Sequence, residues 1–231
     1  MFWKKKNFKQ ISLGICIGGV IIRYIIMCGG TYKSFDTPKQ LTNIGKERLV
    51  DRTIRLLKEN GVKDIYISSN NPLFDNCGVP RLENKENNFI VDNGESTGYW
   101  LDAFYPVKEK VCYLFGDVCF TKDAIKTIVN YKTRKNVLFG NKVALNEYHV
   151  NWGEPFAYIV SDYKKFFEGI KSVKELYNQG KVKRHPIVWE LYRYLNNLDI
   201  NKQYITKNYV VIDDGTIDLD SPEDINRLKI D

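Results

Sequence analysis

The chain has 231 residues, 43% hydrophobic and 27% charged, which suits a globular protein with one good-sized core and leaves little room for two complete domains. Its formal charge of +7 is spread along the chain rather than gathered in one basic segment. No nucleic-acid partner is therefore expected, and a phosphate-rich small ligand accounts for the excess equally well. Cysteines 16, 28, 77, 112 and 119 have no zinc-type spacing and lie in apolar segments, which argues against a disulfide scaffold or a structural zinc and for reduced, buried thiols in a cytoplasmic protein.

In chain order, the amino terminus is the odd part. Lys4, Lys5 and Lys6 precede an apolar run from Ile11 to Ile22, which Arg23 interrupts. The pattern mimics a signal peptide, but the run is too short to span a bilayer and leads almost directly into a strand with no small-residue cleavage site before it. We read residues 1–22 as an extension that packs on the body, or as an upstream start, rather than a membrane anchor; residues 23–231 read as a single domain. Arg23 to Cys28 is an apolar run of the kind found in a buried parallel strand, ending at Gly29 and Gly30. From Lys46 the period becomes helical, with Leu49, Val50, Ile54 and Leu57 on one face and Gly61 placed as a C-terminal cap. Val62 to Ser68 reads as the next strand. Strand, helix and strand within about fifty residues make a βαβ unit, which implies a parallel sheet.

Asn70 to Asn93 is rich in Asn, Pro and charge and reads as irregular; Ser96 to Phe104 reads as a short helix. Val111 to Phe115 is an apolar strand closed by Gly116 and Asp117. Thr121 then caps a helix carrying Ala124, Ile125, Ile128 and Val129. Phe156 to Val160 reads as a strand, followed by a helix with Tyr163, Phe166, Phe167, Ile170 and Val173 on one face that stops at Gly180. Pro186 is placed in the first turn of a helix reaching Leu195. Tyr209 to Ile212 is a late strand. Ser221 caps a closing helix, with Pro222 in its first position and Asp224 as the capping-box acid.

Three segments carry chemistry. The first is the loop Cys28, Gly29, Gly30, Thr31, Tyr32 and Lys33, continued by Thr37, Pro38 and Lys39. Glycines at a strand's carboxyl end let backbone N–H groups approach an anion, and the two lysines would meet phosphate charge. The plainer reading is an ordinary βα turn with solvated lysines. The second is Gly116-Asp117, where a carboxylate at a strand end can hold Mg²⁺ against triphosphate oxygens, or simply serve a turn. The third is acidic: Asp213, Asp214, Asp218, Asp220, Glu223 and Asp224. Helix capping accounts for Ser221 and Asp224. Asp218 and Asp220, two apart, would point to one side of a strand, toward one metal.

These segments, in this order, resemble the sugar-nucleotide and cytidylyl nucleotidyltransferases. The likeness runs through Arg52-Thr53-Ile54-Arg55-Leu56-Leu57 and Gly61-Val62-Lys63-Asp64-Ile65, takes in Gly116-Asp117, and ends in Leu219-Asp220-Ser221-Pro222-Glu223-Asp224. The resemblance implies a Rossmann-like three-layer α/β/α fold with a mixed, mostly parallel sheet. It also implies a loop that wraps a nucleoside triphosphate, Lys39 stabilising it, Mg²⁺ on Asp117 and Asp220, and attack of an acceptor phosphate on the α-phosphorus with release of pyrophosphate. Two residues depart from the family loop: Thr31 stands at its second glycine and Lys33 at its arginine, which keeps the charge but loses the bidentate fork.

By length the chain is nearer to choline-phosphate, acylneuraminate and methylerythritol-phosphate cytidylyltransferases than to the longer sugar enzymes. CTP is therefore the expected triphosphate, with a phosphorylated sugar, polyol or choline-like alcohol as acceptor, for surface-polymer assembly; a homodimer is compatible with all of this. Trp100, Asp102, His149, Trp152, Glu154, Lys183, Arg184 and Trp189 are the candidate acceptor contacts. Two other readings stand beside this one. A glycosyltransferase of related fold would carry an Asp-x-Asp pair after a central strand, which Gly116-Asp117-Val118-Cys119 lacks. A non-catalytic nucleotide-binding protein would fit the altered loop but not the retention of Lys39, Asp117 and Asp220. Membrane contact through the basic amino terminus is compatible with each.

Overall fold

The computed structural model describes residues 22–29, 35, 37–87, 89–92, 95–141, 144–145, 151–202 and 205–228. Seven strands form the central sheet: β1 (Arg23–Met27), β2 (Ile65–Ser68), β3 (Arg81–Leu82), β4 (Val111–Phe115), β5 (Val137–Gly140), β6 (Pro155–Val160) and β7 (Tyr209–Val211). Their order across the sheet is β7-β5-β6-β4-β1-β2-β3. β1 pairs in parallel with both β2 and β4, β2 with β3, and β5 with β7; β6 alone runs antiparallel to its neighbours β4 and β5. The sheet is therefore mixed and mostly parallel, as expected.

The central strands have hardly a polar residue and are buried along their length, which requires cover on both faces. Four helices supply it: α1 (Leu49–Glu59), α2 (Lys122–Asn130), α3 (Tyr163–Asn178) and α4 (Val188–Leu195). α1 packs with α2, and α3 with α4. On one face Tyr113 of β4 and its cross-strand partner Tyr158 of β6 meet Phe104 and Phe166 of α3, the Phe104 ring standing edge-on to Phe166 at 5.0 Å. Gly61 ends α1 with φ +79, and Val62 N–H donates to Leu57 O at 3.1 Å. That is the left-handed glycine cap its position in the sequence predicts. Thr121 Oγ1 accepts from Ala124 N at 3.0 Å to open α2, again as expected.

Five points differ from expectation. The Asn-rich stretch after residue 70 is not wholly irregular, since Arg81 and Leu82 add β3 to the sheet edge. Glu95–Thr97 is a short strand, and only Trp100–Ala103 is helical, as a 3-10 turn. β5 was not anticipated at all. Pro186 lies before α4, whose N-cap is Ile187; the Glu190 carboxylate accepts from Ile187 N at 3.0 Å and so starts the helix after the proline. The closing helix, Pro222–Arg227, is a 3-10 turn. All four described cysteines are free and buried, and no described helix is long and apolar enough to cross a membrane. Gly30, Thr31, Tyr32, Lys33, His149, Cys16 and the amino-terminal extension lie outside the described residues.

Candidate functional site

The strand order turns back between β1 and β4. From β1 the sheet extends to β2 and β3 on one side, while β4 begins the other half. Met27 and Phe115 end these two parallel strands side by side. Such a reversal leaves a crevice outside the carboxyl ends, where ligands of open α/β sheets bind. Cys28 and Gly29 leave β1 at this point, and Gly116 and Asp117 leave β4.

Gly116 is required by space. Its N–H donates to Met27 O at 3.0 Å, and a Cβ there would stand 2.4 Å from that oxygen and 2.9 Å from Cys28 Sγ. Burial, reinforced by the Asp117 carboxylate, pushes the Cys28 thiol well up, so this cysteine is an inert packing group. Gly29 has a different neighbour. The Asn87 carboxamide occupies the space a Cβ would take, with its nitrogen 1.7 Å from that position. Asn87 is 4% exposed and comes from the Asn-rich stretch that gives no periodic signal. Sequence reasoning missed it; the run of asparagines near a strand end was the only available sign.

The second half of the site is an acidic cluster built around one lysine. Pro38 opens a single 3-10 turn, Lys39–Leu41, closed by Leu41 N to Pro38 O at 2.8 Å. The turn points Lys39 inward, where it is 2% exposed. Its Nζ lies 2.8 Å from Asp117 Oδ2, donates to Leu219 O at 2.7 Å and stands 3.8 Å from Asp220 Oδ1. The late acidic segment reaches this place because Ile217–Asp218 pairs antiparallel with Val118–Cys119, and Leu219 N donates to Asp117 O at 3.0 Å. Residues a hundred positions apart thus share one amino group. The capping acid supports them: Asp224 Oδ2 accepts from Asp220 N at 3.1 Å and Ser221 N at 2.8 Å.

Asp218 is strongly perturbed. Burial first, then the Asp117 carboxylate, with further contributions from Asp220 and Glu154, push it up to about 9; Lys39 opposes them. Its Oδ1 is buried without a hydrogen-bond partner among the described residues. Glu154, just before β6, is also raised, by burial and then by Asp220 and Asp117. Four carboxyl groups therefore feel one another here. They are not a finished cage, since no group of three or more His, Cys, Asp or Glu among the described residues is arranged to hold a metal. The donor set nonetheless fits a hard divalent cation, which needs only one or two carboxylates alongside ligand phosphates.

The remaining acceptor candidates scatter. Trp100 packs edge-on against Phe115 at the end of β4, and its N–H donates to His185 Nε2 at 3.4 Å, so it borders the crevice. Trp189 lies against Tyr209, beside which Glu154 stands. Trp152 follows Asn151 in a two-residue strand paired with Ala144–Leu145. Asp102 instead binds Lys174 of α3 at 2.7 Å, Arg184 binds Glu190 at 2.8 Å, and Lys183 is exposed, its N–H on Asn201 Oδ1.

A glycine-lined crevice at the switch point of a mostly parallel sheet, with a cation and carboxylates at its mouth, defines an α/β nucleotide-binding protein. Its family is more specific. Residues 24–185 match the MobA-like NTP transferase domain, and the chain belongs to that family, which makes it a nucleotidyltransferase. Solved structures of the same fold include a protein assigned as glucose-1-phosphate thymidylyltransferase from Bacillus anthracis, crystallised with sucrose. It is 16% identical, with TM-score 0.55, over 89% of this chain and 93% of that one. The inositol-1-phosphate CTP transferase of T. maritima is also 16% identical, with TM-score 0.54, over 89% and 92%. Rv0371c of Mycobacterium tuberculosis H37Rv is 14% identical, with TM-score 0.51, over 91% and 98%. At these identities the likeness concerns the fold. Among curated proteins no relative matches.

Proposed function

We propose that this enzyme transfers a nucleoside monophosphate from CTP to a small phosphorylated acceptor, a sugar, polyol or choline-like alcohol phosphate, with Mg²⁺ as its cofactor. The observation that carries the reading is the meeting of Lys39, Asp117, Asp218 and Asp220 beside the β1–β4 crevice. Carboxylates with a charge-matched lysine are what a metal-bound polyphosphate requires, whereas a purely structural ion pair would not gather so many like charges.

In this reading Cys28, Gly29 and Gly116, at the ends of β1 and β4, border the triphosphate. Lys33, outside the described residues, enters only through the resemblance, as a further cation for the phosphates. Asp117 and Asp220, together with Asp218, would hold Mg²⁺, which would supply charge neutralisation for the phosphate oxygens. Lys39 keeps the two acidic elements in register and offers its ammonium to the developing charge. The acceptor phosphate lies toward Glu154 and Trp100, and its oxygen attacks the α-phosphorus as pyrophosphate leaves. Asn87, packed against Gly29, would then border the nucleoside. The inositol-1-phosphate CTP transferase of T. maritima, only 16% identical, is consistent with both substrates. A cytoplasmic location accords with the reduced thiols.

The test is pyrophosphate release with CTP, UTP, GTP, ATP and dTTP, each with Mg²⁺, against pooled sugar phosphates, polyol phosphates and phosphocholine. Release with CTP, lost in Asp117→Ala, is the expected result. Release with another triphosphate would correct the base, and silence with all five would leave a nucleotide-binding protein without transfer.

A further inference from the structure

The sheet has a second concavity, on the edge opposite the crevice. Because β6 is antiparallel to β4, its carboxyl end lies beside the amino end of β4, with Val160 opposite Val111. Asn136 and Asn208 immediately precede the parallel strands β5 and β7 on that same edge. Together with the start of α3 and the end of α4 they border an open hollow of about 300 Å³. That is the lower end of the range for small-ligand pockets, roughly 300–1,000 Å³.

The lining has a strongly one-sided chemistry. Arg134, Lys135, Lys165 and Lys207 all border it. Among the described residues none of these four side chains forms an ion pair. The single carboxylate in the lining, Asp162, caps α3 by accepting from Lys165 N at 3.0 Å. Asn136 Oδ1 accepts from Ser161 N and Asp162 N at 2.9 and 2.8 Å, and Asn196 Oδ1 accepts from Asn208 Nδ2 at 2.7 Å. The side-chain oxygens of Asn136 and Asn196 are thus taken up within the protein, while no carboxylate among the described residues pairs with the four cations. The first turn of α3, a sixteen-residue helix, also borders the cavity, its positive dipole end already met by the Asp162 carboxylate. Lys110 and Lys132 lie on the same edge, the first with its Nζ on Thr133 O at 2.6 Å and lowered by burial and then by Lys132.

We infer that this concavity is a second anion site, separate from the crevice, which takes a free, multiply charged phosphate compound of about pyrophosphate size or somewhat larger. Four cations around one hollow suit a compact polyanion. A nucleic-acid strand would call for a longer track of charge with aromatic platforms along it, and the lining holds no aromatic ring. The site does not depend on the proposed transfer reaction.

The test uses inorganic pyrophosphate in EDTA, so that no metal supports binding in the crevice, with amide NMR shifts read along the full chain. Saturable shifts at Asn136, Lys165 and Asn208 are expected, with affinity about tenfold weaker or worse in the K165E/K207E double variant and a steep dependence on salt. Turnover at the crevice should be unchanged in that variant. The neutral K165Q/K207Q pair serves if charge reversal impairs folding, and it should also weaken binding. Shifts confined to Gly29 and Gly116, or affinity unchanged in the folded double variant, would overturn the proposal. So would binding of a short RNA or of anionic vesicles through these lysines without any binding of pyrophosphate.

Discussion

Lys39 carries two loads that mutation can separate. Its amino group is buried between Asp117 and Leu219 O, so its removal leaves a partly buried carboxylate and a carbonyl without their donor. Lys39→Met is expected to cost about 3 kcal/mol of stability, the lower end of the range for breaking a buried pair, because the Asp117 side chain keeps 24% exposure. Denaturant unfolding reads this cost, and pyrophosphate release reads any further loss. Asp218 makes a pH prediction. An unfolded aspartate gives up its proton near pH 4. Folded Asp218 holds it to about 9. Between these values the folded state binds more protons, so its contribution to stability falls as pH rises through the window. Asp218→Asn should therefore raise the melting temperature at pH 8 and leave it unchanged at pH 4. If Asp218 supports Mg²⁺ as proposed, metal binding releases a proton, and calorimetry should find apparent affinity rising from pH 6 to pH 8. The pairs of chemistry-bearing residues were legible one by one, since Lys39, Asp117, Asp218 and Asp220 all stand beside glycine, proline or strand signals. That Lys39 turns inward to the aspartates was not, because a lysine on a polar loop gives no sign of burial.

At the level of elements, the crevice depends on how closely β1 and β4 approach. Gly116→Ala would set a Cβ 2.4 Å from Met27 O, backbone that cannot yield cheaply, so loss of nucleotide binding together with a lower melting temperature is expected. Thr121→Ala provides a milder probe. It removes the cap of α2 and a hydrogen bond to Asp214 Oδ2 at 2.6 Å, and should cost about 1 kcal/mol in denaturant unfolding without moving the site. Elements with a clean period were the readable ones: α1, α2 and α3 through apolar faces and terminal glycine or threonine, and β1, β4 and β6 through short apolar runs. β5 escaped because Val137, Leu138 and Phe139 follow a charged stretch and are too few for any period. β3, only two residues long, is a strand because β2 offers its edge, and nothing local in Arg81-Leu82 marks it.

Across the whole molecule charge is divided between the two edges of one sheet. Carboxyl groups gather at the carboxyl ends of β1 and β4, and cations with no ion-pair partner among the described residues at the opposite edge. The packed core of the described residues starts in β1. A chain beginning at Ile22 is therefore expected to keep the parent's melting temperature and pyrophosphate release. If residues 1–21 carry any vesicle affinity, co-sedimentation will lose it in that variant.

The sequence by itself determined the class of fold, the parallel βαβ opening and the short list of chemical groups. Periodicity and turn residues act locally, and the family signature is a linear pattern. Tertiary structure alone decided that Asp218 and Asp220 meet Asp117, through a two-residue ribbon that closes a loop of about a hundred residues. It alone set Asn87 against Gly29 and gathered Arg134, Lys135, Lys165 and Lys207 around one cavity. Such meetings rest on sheet order and on which strand runs antiparallel, and these follow from packing the whole chain, which no local pattern encodes.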